Sequence, residues 1–230
     1  MRLAFSWLTV FPVTVHHVDR AAATRAIAWA PVVGLVLGGI AAAVTVLPTP
    51  VAGLLAVGAL ALLTRGMHVD GLADTLDGLG VYGDAARARE IMRSGGIGPF
   101  GVAGVVFSVG VQALSFATLS WPAVLVAVVT GRVAVVLACR TGVAAAPDSG
   151  FGALVAGTQP PWVSATWSVL LLGGAFVAAG WLGVVACAAA LVAATLLARH
   201  CVRRFGGLSG DVLGAVVETA TAVAAVALTF

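Results

Sequence analysis

The sequence has no lysine, few charged side chains of any kind and only three cysteines. Of its 230 residues 9% are charged, all 12 basic residues are arginine, and 61% are hydrophobic, with a mean hydropathy of +1.11. A soluble domain usually has about a quarter of its residues charged, so this chain has too few polar side chains to cover a water-soluble globule. The composition therefore excludes an ordinary soluble protein and predicts a membrane protein.

The sequence also lacks the signals of a disulfide- or metal-stabilised domain and of a nucleic-acid-binding protein. The cysteines, Cys139, Cys187 and Cys201, are odd in number and scattered, so they indicate neither a disulfide framework nor a metal-binding spacing. The net charge is only +3, and the arginines fall in short loops instead of on one basic face. We therefore expect no nucleic-acid partner.

Several apolar segments have the composition of membrane-spanning helices, which need about 20 residues each. We predict an all-α fold, a polytopic membrane bundle of about seven transmembrane helices, in a single integral membrane domain over residues 1–230. The second segment is too short to cross alone, so we expect it to continue as a helix into the polar stretch that follows. The predicted spans are 26–47, 51–64, 100–119, 123–138, 163–179, 182–198 and 212–230.

The placement of arginine orients this bundle. Arginines precede the first span and follow the second, fourth and sixth, whereas the alternate connections near Pro48, Trp121 and Gly180 have none. Cytoplasmic loops of membrane proteins are enriched in arginine and lysine. We therefore expect a multi-pass protein of the cytoplasmic (inner) membrane, with the N-terminus and the arginine-bearing side in the cytoplasm.

Acidic residues are concentrated in one long polar stretch, 65–98. Asp70, Asp74 and Asp77 are spaced i, i+4 and i+7, which places them on one helix face over two turns. Three carboxylates this close repel one another unless a cation neutralises them, and Mg²⁺ prefers carboxylates together with substrate phosphates. The spacing predicts a Mg²⁺ site. The alternative is a solvated acidic face, but no basic residue is interspersed between the acids.

The residues on either side of these aspartates are further candidates. His68 lies two residues before Asp70 and is a candidate base only if the helix begins near Asp70. Arg93 precedes a glycine-rich turn, and Gly98 lies where the next helix is expected to begin. Such a turn can bind phosphate through its backbone N–H groups. We therefore predict that Arg93 and Gly98 bind a substrate phosphate.

A second polar cluster lies before the last span. Arg203 is a candidate phosphate ligand, and Asp211 and Glu218 share one face of the following helix. We expect the start of this helix to pack against the aspartate helix, so that Asp211 joins the metal site. Glu218 and Arg132 lie at membrane depth, where ionisable residues usually face the bundle interior. We predict that they pair or that Arg132 binds phosphate; the alternative is a purely structural ion pair.

These motifs occur together in a known family. The stretch 68–78, HVDGLADTLDG, resembles the HxDGLADTxDG signature of the cobalamin synthase family, the adenosylcobinamide-GDP ribazoletransferases. The dipeptide Gly131-Arg132 and the block 206–218 resemble later family blocks, in order, so the resemblance covers nearly the whole chain. One departure is the stretch 93–96, which is Arg-Ser-Gly-Gly where many members have Arg-Asp-Ser-Arg.

The resemblance implies a metal-dependent phosphotransferase. A hydroxyl of α-ribazole, or of its phosphate, attacks the cobinamide-side phosphorus of GDP-cobinamide, GMP leaves, and cobalamin or its phosphate is formed. The implied partners are these two small molecules, Mg²⁺ and the lipid bilayer, and a homo-oligomer is left open. The aspartates would bind the metal, the arginines would bind phosphate, and the glycine-rich turn would allow the substrate to approach the backbone closely.

Two alternative classes stay open at this point. An aspartate-rich face also occurs in CDP-alcohol phosphotransferases and in intramembrane prenyltransferases, although the latter have two such motifs and this chain has one full motif. A cation-coupled transporter with Asp70, Asp74 or Glu218 as its ion site is a non-enzyme alternative. Its expected signature, repeated halves with interrupted helices, is not evident in the sequence.

Overall fold

The structure is a computed structural model that describes residues 1–14, 18–147 and 149–230. This part of the chain is helical, with no strand beyond two isolated β-bridges, and the predicted all-α class is confirmed. Its helices are α1 (Arg2–Leu8), α2 (Arg20–Ala28), α3 (Ala30–Thr45), α4 (Ala52–Leu63), α5 (Met67–Gly80), α6 (Ala85–Met92), α7 (Pro99–Phe116), α8 (Trp121–Ala138), α9 (Gly150–Val155), α10 (Pro161–Phe205) and α11 (Gly210–Ala227).

Helix α10 consists of two arms that form a hairpin. The backbone is non-helical at Ala179 and Gly180. After this break Gly183 packs against the carbonyl oxygen of Ala175, which a straight helix would hold about 12 Å away. In the described part of the chain, four helices are long and apolar enough to cross a membrane, or six if the bent pairs α2–α3 and α4–α5 each count as one. The count of six treats α10 as one span. If its two arms are counted separately, the multi-pass bundle is compatible with the predicted number of about seven crossings.

Helix α8 lies at the centre of the bundle and is buried along most of its length. Its valine- and alanine-rich surface is apolar on nearly all sides, which suits a helix surrounded by others, and it packs against α3, α10 and α11. Glycines bring α3 very close: a Cβ added at Gly34 would lie 3.2 Å from the Cβ of Arg132. This packing encloses Arg132 in the bundle interior.

The chain turns by 90° between α4 and α5. Arg65 and Gly66 both adopt the left-handed conformation, with φ of 57° and 68°, a region that glycine enters freely and other residues seldom do. The expected continuation of segment 51–64 as one helix is therefore wrong. Helix α4 has 12 residues, a length of about 18 Å, and α5 is a separate helix that packs against α7 and α11.

Helix α5 lies directly on the starts of α7 and α11. A Cβ added at Gly71 would lie 3.0 Å from the Cα of Asp211, and one at Gly214 would lie 3.0 Å from the carbonyl oxygen of His68. On the other side, a Cβ at Gly101 would lie 2.9 Å from the carbonyl oxygen of Ala73. The packing of the last helix against the aspartate helix, which we predicted from the sequence, is confirmed.

Candidate active site

Three carboxylates lie close together where α5 crosses the start of α11. Asp70 is exposed, Asp74 is half-buried, and Asp211 lies in the first turn of α11. Burial, followed by the negative charges of Asp70, Asp211 and Asp77, raises the pKa of Asp74 to about 6. The side chains of Asp70 and Asp74 have no hydrogen bond or ion pair with any described residue. Their repulsion is therefore not compensated by a positively charged group in the described part of the chain.

The chemistry of these three carboxylates fits a magnesium ion, although they do not form a finished site. Among the described residues, no group of three or more His, Cys, Asp or Glu side chains is arranged so that it could hold a metal ion. Mg²⁺ usually takes only one or two protein carboxylates and completes its shell with water and substrate phosphates. A metal ion at these carboxylates would therefore need water and phosphate oxygens to complete its shell.

Asp77 has different partners from the other aspartates of α5. It is buried, and its carboxylate accepts hydrogen bonds from the backbone N–H groups of Gly98 and Gly101, at 2.6 and 2.8 Å. These donors belong to the start of α7, so Asp77 caps α7 and ties it to α5. The Gly98 N–H group, which we predicted to bind phosphate, donates to Asp77 in the structure.

We expect Asp77→Ala to destabilise the fold. The substitution removes two charge-assisted hydrogen bonds and the cap of α7, so the free energy of unfolding should fall by about 2–4 kcal/mol. Denaturant unfolding in detergent measures this change. Asp84→Ala is the matched control, because Asp84 is exposed and caps α6 through the N–H of Arg87; its loss should cost about 1 kcal/mol. A stable Asp77→Ala variant without activity would instead place Asp77 among the metal ligands.

His68 lies on the inner side of α5. The helix begins at Met67 rather than near Asp70, so the condition under which His68 would join the aspartates is not met. Its Nδ1 lies 3.4 Å from Nη2 of Arg132. Because arginine can only donate, Nδ1 accepts and the imidazole is the neutral tautomer with its proton on Nε2.

Arg132 and Glu218 lie at a small polar cavity inside the bundle, as the sequence predicted. Glu218 accepts a hydrogen bond of 2.7 Å from Nε2 of Gln112, and the buried hydroxyl of Thr221 has no partner in the described part of the chain. The cavity volume of about 10 Å³ suits a single water. Neither Arg132 nor Glu218 lines the larger cavities that contain Asp211. Among the described residues no direct ion pair joins the two side chains, so the predicted pairing is not seen: Arg132 contacts His68, and Glu218 contacts Gln112.

A cavity of about 250 Å³, called here the basic cavity, contains Asp211 in its wall. Arg89 of α6 and Arg93, the residue after α6, line it together with the starts of α9 and α11. Arg89 donates a hydrogen bond of 2.7 Å to the carbonyl oxygen of Phe205, whereas its buried Nε has no partner among the described residues. A buried guanidinium N–H without an acceptor is costly, so this group favours an anionic ligand.

The sequence predictions for the arginines agree with this cavity only in part. Arg93 lines it, whereas Arg203 is exposed, donates to the carbonyl of Arg199 and does not line it. Arg89 was missed. Its spacing of i, i+4 with Arg93 places both side chains on one helix face, and this spacing is the signal that would have identified it.

The fold and the site define a multi-pass helical membrane protein that gathers carboxylates and arginines at one end of its bundle. The sequence model of the cobalamin-5-phosphate synthase family matches residues 1–229. No solved structure matches the chain.

Relatives of the chain bear the name adenosylcobinamide-GDP ribazoletransferase. One from Nocardioides sp. is 44% identical, over 96% of this chain and 94% of its own length. One from Frankia casuarinae is 39% identical over 96% and 91%, and one from Halorubrum lacusprofundi is 32% identical over 97% and 94%. The chain belongs to the cobalamin-5-phosphate synthase family, which confirms the resemblance found in its motifs.

Proposed function

We propose that the protein joins GDP-activated cobinamide to α-ribazole or its phosphate, releasing GMP and forming cobalamin or its phosphate. The relatives are named for this transfer. The structural observation that supports it is the basic cavity, because Arg89 and Arg93 lie in the same cavity as Asp211, which belongs to the group of three carboxylates. A pyrophosphate needs such positive groups next to a site that can take a metal.

The reaction forms one phosphorus–oxygen bond and breaks another. A ribazole hydroxyl oxygen attacks the phosphorus on the cobinamide side of the pyrophosphate, and the bond from that phosphorus to the GMP oxygen breaks. The hydroxyl proton passes to a base, and GMP leaves with the electron pair of the broken bond. Arg89 and Arg93 bind phosphate oxygens and stabilise the negative charge that moves onto the leaving phosphate.

We propose Asp70, Asp74 and Asp211 as the residues that would hold Mg²⁺. When bound, the metal polarises the phosphoryl group and neutralises the departing phosphate. Asp77, the fourth aspartate predicted for the site, positions α5 against α7 through its bonds to Gly98 and Gly101. His68, neutral and bonded to Arg132, positions α5 against α8.

We place the site on the cytoplasmic side of the inner membrane. The end of the bundle that contains the carboxylates also contains arginines of the 65–98 stretch. The enrichment of arginine in cytoplasmic loops supports this orientation. The N-terminus then lies on the same side.

The proposal is tested with purified protein in detergent. GMP should be released only when GDP-cobinamide and α-ribazole are both present, a chelator should stop the release, and added Mg²⁺ should restore it. Transfer from a CDP-alcohol donor, or cation flux in liposomes without GMP release, would contradict the proposal and support one of the alternative classes.

A further inference from the structure

A second cavity, called here the apolar cavity, shares part of its wall with the basic cavity. Its volume is about 390 Å³, within the range of small-molecule sites. Most of its lining is apolar, with Asp70 and Asp211 as its acidic members. Asp211, Gly210 and Phe151 line both cavities. Molecules bound in the two cavities would therefore meet at Asp211.

Two aromatic rings form part of the wall of the apolar cavity. Trp7 of α1 and Phe151 of α9 pack edge to face, with ring centroids 5.1 Å apart and ring planes at 66°. In an edge-to-face pair, one ring points its edge at the other, so both faces of that first ring stay uncovered by the second. The pair therefore offers an aromatic face for a flat ligand to stack on.

Arg65 fixes the position of Trp7. Its guanidinium donates to the backbone carbonyls of Ser6 and Trp7, at 3.2 and 3.1 Å. The end of α1 is thereby attached to the bend between α4 and α5. Arg65 itself has a φ of 57°, which is uncommon for a residue with a side chain. The bend between α4 and α5 is therefore linked to the aromatic wall of the cavity through Arg65.

The charges around the apolar cavity suit a neutral ring. The one positively charged side chain among its described lining residues, Arg65, is bonded to the α1 carbonyls, while Asp70 and Asp211 repel anions. A phosphate is therefore favoured in the basic cavity instead. The two carboxylates of this cavity, Asp70 and Asp211, are the ones proposed to hold Mg²⁺. A guanine ring would therefore bury amide and amino groups that the remaining apolar walls cannot satisfy, whereas an alkylated benzimidazole ring has no N–H groups once it is joined to ribose.

We propose that the apolar cavity binds the bicyclic aromatic base of the acceptor nucleoside, stacked on Trp7, with the ribose directed toward Asp211. This proposal rests on the proposed function, in which the acceptor is α-ribazole. It makes Trp7 and Phe151 determinants of acceptor specificity, and it places the attacking hydroxyl between the two cavities.

Steady-state kinetics of Trp7→Ala test the proposal. Loss of one stacking partner should raise the KM for α-ribazole on the order of tenfold or more, with the KM for GDP-cobinamide and the kcat at saturation unchanged. Trp7→Phe should recover most of the loss. The matched control is Trp181→Ala, because Trp181 packs edge to face on Phe176 at 5.2 Å and 70° but lines neither cavity.

A second measurement needs no variant and tests the binding of the base if Trp7→Ala does not fold. In the wild-type protein, 5,6-dimethylbenzimidazole should inhibit competitively against α-ribazole and not against GDP-cobinamide. An unchanged KM for α-ribazole in folded Trp7→Ala, or competition of the free base with GDP-cobinamide, would overturn the assignment of this cavity. Absence of GMP release by the wild-type protein would reject the proposed function itself, so the two failures are distinguishable.

Discussion

Asp74→Asn is expected to lower the rate of GMP release by at least about 100-fold. Asparagine keeps the size of the side chain but removes the charge that a divalent metal requires. Asp74 lies among Asp70, Asp77 and Asp211, and their charges all act on it, so no other residue is as central to the acidic group. The measurement is metal-dependent GMP release under saturating substrates.

The same substitution should not destabilise the protein, because it relieves repulsion among the carboxylates. This separates it from Asp77→Ala, for which a loss of stability is expected. Asp84→Asn is the matched control, since Asp84 is exposed and caps α6; asparagine caps nearly as well as aspartate, so activity should be retained. An Asp74→Asn variant with nearly wild-type turnover would remove the carboxylates from the mechanism.

Arg89→Met is expected to lower kcat/KM for GDP-cobinamide by about 10²–10³-fold. The substitution removes a half-buried guanidinium that lines the basic cavity and whose buried Nε has no partner in the described part of the chain. The KM for α-ribazole should stay the same, because the acceptor base binds elsewhere in our proposal. Kinetics with each substrate varied in turn provide the measurement.

Arg87→Met is the control for this prediction. Arg87 lies on the same helix, but it is exposed and pairs with Glu90 at 2.8 Å, so its loss should have little effect. Arg203→Met adds a second comparison, because Arg203 was predicted from the sequence and lies outside the basic cavity. Loss of donor binding in Arg203→Met but not in Arg89→Met would show that the pyrophosphate binds on the exposed face of α10.

The sequence was sufficient for the features that depend on local pattern. Hydropathy identified the bundle because the bilayer requires long apolar helices. The i, i+4, i+7 spacing of Asp70, Asp74 and Asp77 identified the acidic helix. The approach of Asp211 was predicted because one helix alone cannot surround a metal ion.

The features that the sequence did not reveal depend on tertiary placement. The bend before α5 requires Arg65 in a left-handed conformation, which no local motif signals. The partners of Asp77 are 21 and 24 residues away and become neighbours only when α7 packs on α5. His68 was assigned conditionally, because its direction depends on where α5 begins and on the position of Arg132.

The shortness of α4 affects the surrounding lipid. A helix of about 18 Å lies against a hydrocarbon layer of about 30 Å, and it faces lipid, since Leu54, Leu55 and Leu62 are exposed. The resulting hydrophobic mismatch is relieved when the bilayer thins around the short helix, at a modest cost per ångström. Such thinning would bring headgroups and water along α4 toward Asp70, which lines the same groove as Leu54 and Ala61. A bulky amphipathic corrinoid would therefore meet the acidic helix at a dip in the membrane surface, without having to enter the hydrocarbon.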